Sequence, residues 1–258
     1  MAFWPKIRTG SRERVCNPDA VPYAVFENVG LTIGARKVLH GLTLSLSEDR
    51  VGVIGLNGSG KSTFVRLLNG LRSPTDGKLT LFGAPSAEAE KELPRHVGFV
   101  FQNPDHQAIF PTVEEEIAFG LTQLGADKTA SREQARRFLS DHGFGALASS
   151  PFAELSEGQK QYVCILAVLV MQPRLLVLDE PMTSLDGLSG RKIREKLMSL
   201  PQKIVMISHD LSHFEDFDRV LWLEDGRLRM DGPAAEVLAA YEADIDRRLG
   251  AGMEVAAL

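Results

Sequence analysis

A chain of 258 residues that is 44% hydrophobic and 24% charged has the material for one large domain or two small ones, and that composition excludes a disordered or collagen-like polymer. Its 29 basic and 34 acidic side chains leave a formal charge of −5, so no global positive field attracts nucleic acid or an anionic membrane surface. The two cysteines, Cys16 and Cys164, lack metal-ligand spacing and fit a reducing compartment, in a chain long enough to hold its core without disulfides.

Residues 1–21 carry basic side chains but no apolar stretch of signal-peptide length, and are expected to form a flexible extension that stays on the protein. From Ala24 onward, strand-like and helix-like periods alternate. Leu42, Leu44 and Leu46 alternate with Thr43, Ser45 and Ser47 as in a half-buried antiparallel strand, whereas VGVIG at 51–55 is the unbroken apolar run of a buried parallel strand. A Gly-rich turn leads into a helix with Phe64, Leu67, Leu68 and Leu71 on one face, closed by Gly70 and the 73–77 turn.

KLTLFG and VGFVF read as further strands. Residues 112–142 turn helical, with Thr112 and Glu115 as a capping box and Gly143 as the C-cap, which reads as a helical insertion. A helix at 159–171, a strand at 175–178, a helix at 188–200 and a strand at 203–208 follow. Strands 220–223 and 228–230 flank an Asp225-Gly226 turn, and Pro233 opens a last helix through Tyr241. The longest apolar run, 162–171, is far short of the roughly 20 residues that span a bilayer.

GLNGSGKS at 55–62 fits the pattern G-x-x-x-x-G-K-[ST], after a buried strand and at the start of an amphipathic helix. In such a loop the glycines let the backbone curl so that consecutive N–H groups point inward, and the helix N-terminus adds positive potential. Gly55, Leu56, Asn57, Gly58, Ser59, Gly60, Lys61, Ser62 and Thr63 are therefore candidates for holding phosphate. Lys61 is aimed at the β- and γ-phosphates and Ser62 at Mg²⁺. The alternative, a Gly-rich turn with an exposed lysine, is disfavoured by the flanking strand and helix.

LLVLDEP at 175–181 puts Asp179 and Glu180 at the exit of a buried strand, where α/β sheets gather ligands. Phosphoryl transfer needs metal, alignment and a base, so Asp179 is read as a Mg²⁺ ligand and Glu180 as the residue that activates water. Without the phosphate loop, a solvated Asp-Glu pair would be the better reading.

LSEGQKQ at 155–161 precedes LLVLDEP as the LSGGQ signature does in ATP-binding cassette (ABC) ATPases. Gln102 after a strand, SLD at 184–186 and His209 closing a strand complete the order. From about Ala24 to Gly232 the chain resembles that family. The resemblance implies a P-loop NTPase fold over 22–242, with a RecA-like α/β core, an N-terminal antiparallel β portion, a helical insertion near 103–160 and a tail at 243–258.

It also implies that Gln102 links Mg²⁺ and the attacking water to the insertion, and that His209 contacts the γ-phosphate. Ser156 and Gly158, with Gln159 and Asp186 nearby, would serve the nucleotide of a facing subunit, two copies pairing head to tail. Ser156 and Gln159 also form a capping box on their own. His209 and His213, four residues apart, have zinc as an alternative but no third ligand in sight. His40, His96, His106 and His142 read as ordinary surface or core residues.

FQNPDHQAIFPTVEEEIAFG at 101–120 resembles the ATPases of energy-coupling factor importers, which take up vitamins, cobalt or nickel. In that group this stretch receives a coupling helix of a membrane subunit, so Glu114, Glu115 and Glu116 are expected to meet basic partner residues, to complement their own helix dipole, or to do both. The chain departs from the family at Ile33, where an aromatic usually stacks on adenine, at Glu157 for a glycine, and at Tyr162 for an arginine.

The resemblance thus implies an ATP-hydrolysing importer subunit at the cytoplasmic face of the membrane, working with transmembrane coupling and substrate-binding subunits. Biotin is favoured over cobalt and nickel. A soluble cassette ATPase acting on nucleic acid or ribosomes would commonly carry a second cassette and a basic field, and a non-hydrolysing switch would not need Lys61, Asp179, Glu180 and His209 intact.

Overall fold

The computed structural model describes residues 21–89, 91–183 and 185–250. The expected extension, apart from Val21, lies outside the described residues, as do Cys16 and Ser184.

The chain opens with β1 (Ala24–Ile33), β2 (Arg36–Leu46), β3 (Arg50–Ile54), α1 (Lys61–Leu68), β4 (Asp76–Leu81) and β5 (Ala84–Pro85). Short helices α2 (Ser86–Ala89) and α3 (Leu93–His96) lead to β6 (Val97–Val100), and α4 (Val113–Gln123), α5 (Lys128–Asp141) and α6 (Glu157–Leu169) follow. The chain then runs through β7 (Leu175–Asp179), α7 (Gly187–Met198), β8 (Lys203–Ile207), β9 (Arg219–Glu224), β10 (Arg227–Gly232) and α8 (Ala234–Gly250).

Two sheets result. One is antiparallel, in the order β2-β1-β4-β5; the other has the order β10-β9-β3-β8-β7-β6, parallel from β9 to β6 with β10 antiparallel at its edge. All five residues of β3 and all five of β7 are buried, as expected where both sheet faces are covered. In β2, Leu42, Leu44 and Leu46 are buried while Thr43 and Ser45 are exposed, so one face meets the core and the other water.

The space between the sheets is filled from α1. Phe64, Val65, Leu67 and Leu68 have no exposure, and Phe64 stacks on Phe26 at 5.2 Å between ring centroids. An eight-residue helix is unstable alone, but each such side chain contributes about 1.5–3 kcal/mol on burial. Packing, and not propensity, therefore holds α1 and the loop before it. The opposite sheet face is covered by α6, α7 and α8, and α4, α5 and α6 form a third cluster of their own.

The structure departs from the sequence reading in four places. Leu71 lies beyond α1 and is 56% exposed, because the helix ends at Leu68 and Gly70 takes φ 76°. The helical stretch 112–142 is two helices, broken where Gly125 takes φ 95°. At the start of α4 the capping is one-sided: Thr112 Oγ1 accepts from the Glu115 N–H at 3.4 Å, but the Glu115 carboxylate takes the Thr112 hydroxyl at 2.8 Å. The last helix continues past Tyr241 to Gly250, since the buried Asp244 is gripped by Arg229, Arg247 and Arg248.

Candidate nucleotide site

β3 runs straight into the Gly-rich loop. Gly55 takes φ 144°, and a Cβ there would lie 2.1 Å from the Leu223 carbonyl oxygen, so only glycine fits. Gly60, at φ 100°, is the N-cap of α1 and accepts the Phe64 N–H at 2.8 Å. The N–H groups before Phe64 are first-turn donors without helical partners, the anion-binding end of a helix.

Lys61 Nζ folds over the loop and donates to the Gly55 and Leu56 carbonyls at 2.8 and 3.0 Å. Burial lowers its pKa, opposed by the charges of Glu180 and Asp179. Ser62 Oγ donates to Asp179 Oδ1 at 3.2 Å. Asp179, 8% exposed at the end of β7, has its pKa raised by burial, with the Ser62 hydrogen bond acting against that rise.

Glu180 is the hub. Its backbone takes φ 52°, a left-handed conformation that costs a non-glycine residue energy, and its N–H is held by the Ile207 carbonyl at 3.1 Å. Glu180 Oε2 accepts from Gln102 Nε2 at 3.1 Å and from Thr183 Oγ1 at 3.0 Å, and Oε1 lies 2.8 Å from His209 Nε2. Gln102 follows β6 and His209 follows β8, the two strands on either side of β7, so sheet order gathers three strand exits at one carboxylate.

Thr183 was not singled out in the sequence. The signal available was its position three residues after Glu180, the distance of a turn, and its N–H does reach the Glu180 carbonyl at 3.4 Å.

A second cluster sits where α6 meets α7. Ser156 and Gln159 make the reciprocal capping box: Ser156 Oγ accepts the Gln159 N–H at 3.3 Å, and Gln159 Oε1 accepts the Ser156 N–H at 2.9 Å. A Cβ on Gly158 would meet Ser189 Oγ at 2.8 Å, so this glycine permits close approach of α7. Asp186 caps α7, accepting from the N–H groups of Leu188 and Ser189 and from Ser189 Oγ at 2.7 Å, and these bonds lower its pKa. The structure thus brings Lys61, Ser62, Gln102, Asp179, Glu180 and His209 into one cluster, with Ser62 bonded to Asp179, Gln102 and His209 to Glu180, and the Lys61 charge felt by both acids. Ser156, Gly158, Gln159 and Asp186 form another.

His213 pairs with Ser208 Oγ through Nδ1 at 2.8 Å, away from the Glu180 contact of His209. Tyr162 stacks on Phe144 at 4.9 Å. Glu114 and Glu116 correct the partner-facing expectation, while Glu115 stays partly exposed. Glu114 pairs with Arg136 and Arg132, Glu115 with Arg132, and Glu116 accepts the N–H groups of Ile109 and Phe110. Glu114 and Glu116 are each 5% exposed, so these acids brace the insertion from within.

The family model described as "ABC transporter" matches residues 39–183. The biotin transport ATP-binding protein BioM of Rhizobium etli is 44% identical over 84% of this chain and 96% of its own length. The energy-coupling factor transporter ATP-binding protein EcfA1 of Latilactobacillus sakei subsp. sakei is 34% identical over 86% and 80%. Among solved structures, cbiO1 from Clostridium perfringens, part of the ABC transporter complex cbiONQ, superposes with a TM-score of 0.74 at 29% identity, covering 88% of this chain and 95% of that one. With a phosphate loop, two carboxylates and the glutamine and histidine around Glu180 in place, this chain belongs to the ABC transporter family, as one of its ATPase subunits.

Proposed function

We propose that this chain is the ATP-hydrolysing subunit of an energy-coupling factor importer for biotin, working as a head-to-tail pair on transmembrane partners at the cytoplasmic face of the membrane. The observation that carries the hydrolytic reading is the Glu180 carboxylate, held by Gln102, Thr183 and His209 beside the Ser62–Asp179 pair. Among the described residues no helix is long and apolar enough to cross a membrane, which fits a peripheral subunit. The cargo is inferred from likeness to BioM.

In this reading the loop N–H groups and Lys61 hold the β- and γ-phosphates. The hydroxyl of Ser62, the Asp179 carboxylate and the Gln102 side-chain carbonyl supply the hard oxygen donors that suit Mg²⁺, and the ion when bound neutralises charge on the phosphates. Glu180 accepts a proton from water as the water oxygen bonds to the γ-phosphorus and the bond to the ADP oxygen breaks. His209 and Thr183 keep Glu180 in place. Ser156 and Gly158 present the α6 N-terminus to the nucleotide on the facing copy.

The test is co-purification from membranes with the transmembrane partners, followed by ATP-driven uptake of labelled biotin into vesicles carrying the complex. Cobalt and nickel ions serve as comparison cargoes. Biotin uptake that requires ATP is expected. A chain that stays in the soluble fraction without membrane partners overturns the importer reading, and metal uptake without biotin uptake overturns the cargo.

Base recognition yields a further expectation. Ile33 is 39% exposed, whereas Tyr23 and Phe26 are 3% and 1% exposed and belong to the core, so neither ring is free to lie under a base. An aromatic platform is worth roughly 1–3 kcal/mol, and an isoleucine offers apolar contact alone. ATP and GTP titrations on the full chain should give dissociation constants within about fivefold of each other. A hundredfold preference for ATP would show that another group reads the base.

A further inference from the structure

The signature departs from its usual form at Glu157, and the structure gives that carboxylate a partner. Lys160, its side chain 11% exposed, donates through Nζ to Asp105 Oδ1 at 2.9 Å and to Glu157 Oε1 at 3.3 Å. Asp105 lies in a 3-10 turn, Pro104–His106, just past Gln102. The Asp105 hydrogen bond raises the Lys160 pKa.

The same face of α6 is stitched to this segment further along. Gln161 Nε2 donates to the Phe101 carbonyl at 3.4 Å, Gln107 Nε2 donates to the Cys164 carbonyl at 3.0 Å, and the Cys164 thiol donates to the Pro104 carbonyl at 3.7 Å. Residues 157, 160, 161 and 164 follow the i, i+3, i+4, i+7 spacing of one helical stripe. The inner bonds end on backbone carbonyls and fix the segment to the helix. The Lys160 bridge is the outermost and lies within about one turn of Ser156.

We propose that Lys160 is a positioning residue that ties the signature turn to the segment carrying Gln102, so that Gln102 beside Glu180 and Ser156 at the α6 N-terminus are placed together. This rests on the ATPase reading above. The charge arithmetic orders the consequences. Removing Glu157 leaves the shorter Asp105 contact intact. Removing the ammonium leaves two carboxylates that had converged on one point, and their repulsion pushes the turn and the helix apart. The Lys160 side chain is 11% exposed but both carboxylates are 52% exposed, so solvent screens the triad in part and its effect is modest.

The test measures ATP turnover of the full chain assembled with its membrane partners, alongside nucleotide titration and thermal midpoint. Lys160→Met is expected to lower kcat by about tenfold, within the range of neighbouring-residue coupling, with ATP affinity and midpoint little changed. Lys160→Arg should retain turnover, and Glu157→Gly should change it by less than about threefold. Adding Asp105→Asn to Lys160→Met should recover at least about threefold, because the repulsion is relieved.

Wild-type kcat in Lys160→Met, or a loss that Asp105→Asn does not reduce, overturns the proposal while wild-type hydrolysis upholds the ATPase reading. A wild-type complex that does not hydrolyse ATP overturns both.

Discussion

Glu180→Gln is expected to lower ATP hydrolysis in the assembled complex by about 10²–10³-fold, the size of a lost general base, while ATP still binds. The amide nearly matches the carboxylate in shape and its oxygen can still accept from Gln102 Nε2 and Thr183 Oγ1, now at 3.1 and 3.0 Å from Oε2. The strained backbone at φ 52° is anchored by the Ile207 carbonyl and does not depend on side-chain charge. What disappears is the capacity to take a proton from water. The variant should therefore accumulate ATP-bound dimers, visible by size-exclusion chromatography.

Lys61→Ala should behave in the opposite sense. It removes the side chain that spans the Gly55 and Leu56 carbonyls and its charge beside Asp179 and Glu180, so ATP binding should weaken and ATP should not drive dimers of the isolated chain, whose pairing within the assembled complex rests on the membrane partners. Wild-type turnover in Glu180→Gln would remove Glu180 from the role of base.

How much of this was readable in the sequence follows from how local each feature is. The phosphate loop needs glycine where φ is positive and a helix start immediately after, and both conditions lie within eight consecutive letters. Asp179 and Glu180 were readable because a buried strand tolerates charge only at its exit. Gln102 and His209 were found by resemblance, and no local pattern could have placed them. They meet Glu180 only because β6 and β8 flank β7 in the sheet, a long-range pairing that periodicity does not encode.

Thr183 was missed because a threonine after a proline turn carries no chemistry until the hub it donates to is known. Glu114 and Glu116 misled for a related reason. Acidic residues in a first helical turn read as facing a partner or the helix dipole, and only the placement of Arg132 and Arg136 on α5 beside Glu114, and of the Ile109 and Phe110 N–H groups beside Glu116, shows the two turned inward. The end of α8 had the same defect: the helix persists because Arg229, on β10, reaches Asp244 across the fold.

The sharpest test of the paired site mixes two inactive chains. Lys61→Ala disables the loop, and Ser156→Arg places a bulky cation at the α6 N-terminus, where Ser156 now serves as the cap. Within one protomer Lys61 bonds its own loop and Ser156 bonds Gln159, so loop and signature are each built by local contacts. If each nucleotide lies between the loop of one copy and the signature of the other, either variant alone has two defective sites. In a mixed dimer both defects fall in the same site, and the other site unites an intact loop with an intact signature. Random pairing of equal amounts makes about half the dimers mixed, each with one good site of two, so about a quarter of the wild-type sites should return. ATPase activity of co-assembled complexes that rises toward that level, from near zero for each variant alone, is the expected result. Full activity of Ser156→Arg alone would show that the signature takes no part in the site, and a mixture as inactive as its components is what sites completed within one copy, or sites that cannot work singly, would give.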